Sequence, residues 1–118
     1  MEEAKKIYPT DPDAEGWFFQ DETEESSGVQ TRDYENGSRV KRVFISGNRE
    51  VVVRELKGRD FGVIQDITKS GDISFEAATA SLSVKINDQG YPAEYYMDDL
   101  KLGDFSKILI PVSRLNFS

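Results

Sequence analysis

The chain has 118 residues and a mass of 13.4 kDa, enough for one folded core of ordinary size and too little for a second. It holds no cysteine and no histidine, which removes thiolate nucleophiles, imidazole bases and the commonest zinc ligands, and with them serine–histidine, cysteine–histidine and zinc-hydrolase mechanisms. A net charge of −7 argues against a nucleic-acid binder, which needs a clustered basic face, and suits docking on a basic protein partner.

The acidity is concentrated at one end. Residues 1–37 hold 11 acidic and 3 basic side chains, whereas residues 38–118 hold 11 acidic and 12 basic ones. Residues 1–28 mix charged, Pro, Gly and Ser residues around one apolar island, Trp17-Phe18-Phe19. We expect an acidic N-terminal segment, largely disordered or loosely docked, followed by one α+β domain over 29–118. The island reads as Trp17 and Phe19 docking as an edge strand, with a short linear anchor for another protein as the alternative. Asp21 to Gly28 then reads as a solvated loop.

From Val29 the pattern turns to period two. Val29 to Tyr34 is a candidate strand, Asn36-Gly37 a strong hairpin signal, and Arg39 to Ser46 the returning strand. Gly47-Asn48 marks a second turn before Glu50 to Leu56, where Val51, Val52 and Val53 favour a strand. Charge decides the register we expect. A three-residue loop ending at Arg49 sets Lys41 opposite Glu55 and Val43 opposite Val53, and leaves Arg42 opposite Arg54 on the outer face. The product is a three-stranded antiparallel meander with one face committed to about three helices.

Lys57-Gly58-Arg59 breaks the strand pattern, and Asp60 is placed to cap a helix through Phe61, Ile64 and Ile67 that ends at Ser70-Gly71. Asp72 can cap a second helix from Ile73 to about Asn87, with Phe75, Ala78, Leu82 and Ile86 on one stripe. Asn87 to Pro92 is a loop of breakers, followed by the exposed-looking pair Tyr95-Tyr96. In the last stretch Phe105, Ile108, Leu109, Val112 and Leu115 form an apolar stripe of a helix opened by Gly103 or Asp104, with Leu100 and Leu102 packing beside it. Pro111 predicts a kink or break near Ile110.

Local matches to catalytic motifs fail. Asp60-Phe61-Gly62 spells the metal-binding triplet of kinases without the rest of that fold, and there is no phosphate loop or calcium loop. Glu94, Asp98 and Asp99 form the one tight carboxylate cluster and read as a solvated helix start rather than a hydrolytic pair. Tyr91, Tyr95 and Tyr96 read equally as rim packing or as a protein-contact patch. Together with Met97, Trp17 and Phe19 they are our candidate partner-binding residues, and we assign no catalytic residue, metal or cofactor. The opening Met1 to Lys6 lacks a signal-peptide plan and no apolar run approaches the roughly 20 residues of a membrane span, so we expect a soluble intracellular protein.

Two phrases carry a resemblance. Arg49-Glu50-Val51-Val52-Val53-Arg54-Glu55-Leu56-Lys57-Gly58-Arg59-Asp60, followed by Met97-Asp98-Asp99-Leu100 through Leu102 to Asp104-Phe105, resembles the plan of small tail assembly chaperones of long-tailed bacteriophages, over about residues 39–117. The acidic first 37 residues have no counterpart in that plan. The resemblance implies a non-enzymatic assembly factor of the host cell cytoplasm that binds the tape measure protein, and tail tube subunits, during tail morphogenesis. A homo-oligomer is possible on the same footing. The competing readings are an acidic mobile-element inhibitor that mimics DNA, for which the N-terminal acids speak, another structural tail protein of a phage, and an enzyme built on Glu94, Asp98 and Asp99.

Overall fold

The computed structural model describes residues 16–117, and the expectations for residues 1–15 lie outside them. The chain runs α1 (Glu22–Ser27), β1 (Gln30–Asp33), β2 (Arg39–Ile45), β3 (Arg49–Arg54), α2 (Gly58–Thr68), α3 (Phe75–Ser83), β4 (Val84–Ile86), a π-helical turn (Tyr95–Asp99) and α4 (Leu102–Asn116). The class is α+β, but its order departs from a meander followed by helices. A helix precedes the first strand, and the last strand follows α3. The four strands form one antiparallel sheet in the order β1-β2-β3-β4.

β4 replaces the end of an expected long helix. Ser74, not Asp72, caps α3 by accepting from the Ala77 N–H at 3.1 Å, and the helix stops at Ser83. Val84, Lys85 and Ile86 then alternate in, out and in against β3. Two β-branched residues beside an open strand edge gain a ladder and a buried face, which outweighs continuing the helical stripe to Ile86.

The β1–β2 connection is a loop from Tyr34 to Ser38 with Gly37 at φ 89°, closed by the Tyr34 N–H on the Ser38 carbonyl. The β2–β3 loop is Ser46-Gly47-Asn48, and the pairs are Val43 with Val51, Lys41 with Val53 and Arg42 with Val52. That is a two-residue slip from the charge-based register. A slip of two keeps every side chain on its face, so the sheet buries the same residues while the charged neighbours change. Lys41 does not face Glu55, and Arg42 sits beside Glu50, not Arg54, with 3.0 Å between guanidinium and carboxylate.

One face of the sheet carries Thr31, Lys41, Val43, Ile45, Val51, Val53, Val84 and Ile86, all buried. α4 crosses this face over β2 and β3 and supplies Ile108 and Val112, while α3 contributes Ala77 and Ala80 beside it. Pro111 does not break α4. The helix runs unbroken from Leu102 to Asn116 with the Pro111 ring buried on its sheet-facing side, where packing offsets the missing backbone bond. Leu100 is buried as expected, but Leu102 is 79 % exposed and does not join the stripe.

α2 begins at Gly58. The Asp60 N–H donates to the Lys57 carbonyl and the Asp60 carboxylate accepts from the Lys57 N–H at 2.7 Å, which satisfies two end groups of the helix at once. Ile64 is its single buried residue, and Phe61 is exposed. No helix among the described residues is long and apolar enough to cross a membrane.

The segment before β1 is tied down by polar groups. Phe18 exchanges both backbone bonds with Thr31, at 2.9 and 2.7 Å, adding a one-residue bridge to the edge of the sheet. The run from Asp21 is not a solvated loop. Asp21 accepts from the Glu24 N–H at 2.9 Å to start α1, and Gly28 ends it at φ 73°.

Candidate functional site

Two polar clusters set the positions of the helices. Glu24 is 0 % exposed and Lys41 2 %, and the two form an ion pair on the buried face of the sheet. The Lys41 ammonium also donates to Thr31 Oγ1 at 2.8 Å and Gln20 Oε1 at 2.9 Å, and Glu24 accepts from Thr31 Oγ1 at 2.8 Å and the Gln20 N–H at 2.9 Å. Arg114 near the end of α4 pairs with Asp21 and lies 3.8 Å from Glu24. At the other end of α4 the buried Asp104 carboxylate accepts from Ser46 Oγ at 2.5 Å and the Ser46 N–H at 3.1 Å, with Arg49 at 3.3 Å. The Ser46 hydroxyl first, then its N–H, with Arg49 adding to them, hold this carboxyl below its ordinary pKa of 3.8. Both clusters bind the protein to itself.

The candidate partner residues fall in two places. Tyr91 and Tyr95 stack with centroids 4.1 Å apart, and the Tyr95 hydroxyl accepts from Arg49 at 3.3 Å on the helix side of the sheet. Tyr96 belongs to the core, not the surface. It is 2 % exposed, packs edge-on to Tyr95 and at 5.9 Å from Phe105, and burial pushes its hydroxyl pKa up. Met97 is exposed beside them. Trp17 lies on the opposite face of the sheet, its centroid 4.5 Å from the Arg32 guanidinium and 4.4 Å from that of Arg42, and the exposed Phe19 follows it. The tyrosines and Trp17 therefore do not form one patch.

Glu94, Asp98 and Asp99 are exposed around the π-helical turn, and no group of three acidic side chains converges to hold a metal among the described residues.

A surface that reading for buried stripes passes over lies on the solvent side of α4. Leu102, Ile110 and Phe117, the last just past the helix end, are all exposed. At 100° per residue they fall within about 80° of one another, Ile110 and Phe117 roughly opposite the side of Ile108 and Val112 and Leu102 about a quarter turn from it. Phe75 of α3, also exposed, meets Phe117 with ring centroids 5.7 Å apart and widens the strip. The helix is thus apolar on two sides, with Ser106 and Ser113 between the outer three. The signal in the sequence is the spacing of eight and seven residues from Leu102 to Ile110 to Phe117. No family model, curated protein or solved structure matches the chain.

Proposed function

We propose that this protein is a non-enzymatic assembly factor whose α4 receives an amphipathic helix of a partner, in the manner of the phage tail assembly chaperones that its sequence resembles. The partner is then the tape measure protein, with tail tube subunits assembling around it. The observation that carries this reading is the exposed strip of Leu102, Ile110 and Phe117, extended by Phe75. Apolar residues repeated along a solvent-facing helix cost solubility unless another surface covers them, and a helix with anchors at three- and four-residue spacing is the shape that covers such a strip. The Arg49 to Asp60 and Met97 to Phe105 phrases supply the independent support.

Co-production with a long, helix-rich tape measure protein tests it. Wild-type chain raises the partner's soluble yield and co-purifies with it, and Leu102→Asp with Ile110→Asp abolishes both effects while the circular dichroism spectrum is unchanged. Equal partner yield with and without the wild-type chain, and no co-purification, overturns the reading.

A further inference from the structure

The face of the sheet turned away from α4 is built differently from the covered one. Its residues pair in two adjacent cross-strand rows, Arg32 with Val40 and Arg54, and Arg42 with Val52 and Lys85. They line a groove of 880 Å³, walled at one side by Trp17 and Tyr34 and at the other by Ser81 to Ser83. Four cations line it against two carboxylates, Glu50 and Asp88, in a chain whose overall charge is −7. The two central valines share the floor with them.

These groups are set up to receive something. Arg42 is fixed by Gln30 Oε1 at 2.7 Å and Glu50 at 3.0 Å. Arg54 is half exposed, with Asp60 at 3.6 Å. Lys85 is exposed and pairs with none of the described residues. The two rows between β2 and β3 in the groove, Val40 with Arg54 and Arg42 with Val52, each offer one valine and one arginine, and the next outer row pairs Phe44 with Glu50. Rows on one face repeat every two residues along the strands, about 6.7 Å. Same-face side chains of an extended peptide repeat at the same distance. A segment lying along the trough therefore meets a valine and an arginine at two successive steps, with Lys85 beside the second.

We propose that this groove binds an extended acidic segment of a partner protein, its carboxylates held by Arg42, Arg54 and Lys85 and its apolar side chains seated on Val40 and Val52. A polyphosphate backbone suits the site poorly. It carries no apolar side chain to seat on Val40 and Val52, whereas a peptide can alternate carboxylates with apolar residues. The inference does not depend on the role of α4, which lies across the sheet.

The chain's single tryptophan, Trp17, reports on the groove without a label. Titration with a short fluorescein-labelled peptide of alternating glutamate and valine is expected to change Trp17 emission and raise peptide anisotropy together. Affinity falls about tenfold or more at high salt, and by a similar factor in Lys85→Glu and in Arg54→Gln, because the contacts are ionic and exposed. Lys107→Glu on α4 leaves affinity unchanged, and a lysine–valine peptide does not bind. Absence of both signals, equal binding by Lys85→Glu, or tighter binding of an oligothymidylate overturns the proposal. Concentration-dependent self-association that Lys85→Glu abolishes assigns the groove to a second copy of the chain and overturns it too.

Discussion

The buried face of the sheet is covered in two ways. Under α4 the contact is hydrocarbon, with Val43, Ile45, Val51 and Val53 meeting Ile108 and Val112. Under α1 it is ionic, because Glu-Thr-Glu-Glu-Ser-Ser offers no apolar side chain, and the helix is held by Glu24 on Lys41 and Thr31. The difference lies in what each helix can bury. A 15-residue helix with a stripe docks by removing surface from water, whereas a six-residue helix without one docks only if a specific charge finds a specific counter-charge. The first contact tolerates repacking, and the second depends on both partners being present.

The largest effect should therefore come from leaving the ionic contact half made. Lys41→Met takes from the buried Glu24 carboxylate its nearest counter-charge, leaving Arg114 at 3.8 Å, and is expected to lower unfolding free energy by about 3–5 kcal/mol, read from urea midpoints. Glu24→Leu combined with Lys41→Met removes both charges, and the pair together costs less than about 1.5 kcal/mol, mainly through the Thr31 hydroxyl left without its acceptor. If the double variant is as unstable as the single one, the cost comes from losing the contact and not from a stranded charge, and hydrocarbon at positions 24 and 41 does not hold α1. On the apolar side Ile108→Ala should cost about 3 kcal/mol by emptying a site that is 0 % exposed, with no such rescue from any charge change.

These two contacts were not equally legible. The stripe from Phe105 to Leu115 states its own packing, since residues three and four apart must share a face. Lys41 has no comparable sign. Its partner lies 17 residues upstream in a run of acids that reads as solvated, and local charge pairing offers Glu55 instead. β4 was hidden for a different reason: Leu82 and Ile86 are four apart, so the strand's last residue also fits a helix, and only the open edge of β3 decides between them. The outer basic face was written in plain alternation, with Arg32, Arg42 and Arg54 each two residues from another outer-face position. It becomes a groove only once the register puts Val40 beside Arg54 and Arg42 beside Val52. The exposed strip on α4 is likewise visible as spacing, but its exposure follows from which side the sheet occupies.

Asp104 lies between the two kinds of contact and gives the smallest effect, separable by pH. It is a charge, yet it belongs to α4 and fastens the start of that helix to the β2–β3 loop through Ser46 and Arg49. Asp104→Asn keeps the shape and loses the charge-assisted bonds, so it should cost about 1.5–3 kcal/mol near neutral pH. The folded carboxyl titrates below its ordinary value of 3.8, because the Ser46 hydroxyl and N–H, with Arg49, favour the ionised form. Its stabilisation is therefore complete above the unfolded value and is lost as pH falls through the folded one. The gap in urea midpoint between wild type and Asp104→Asn should narrow as pH drops below 3.8. Asp21 and Asp60 are also shifted down, but they are present in both proteins and cancel from the difference. No gap at any pH means that the fold needs only the shape of residue 104, and a gap that stays constant from neutral to strongly acid pH means that the charge of Asp104 is not what fastens the start of α4.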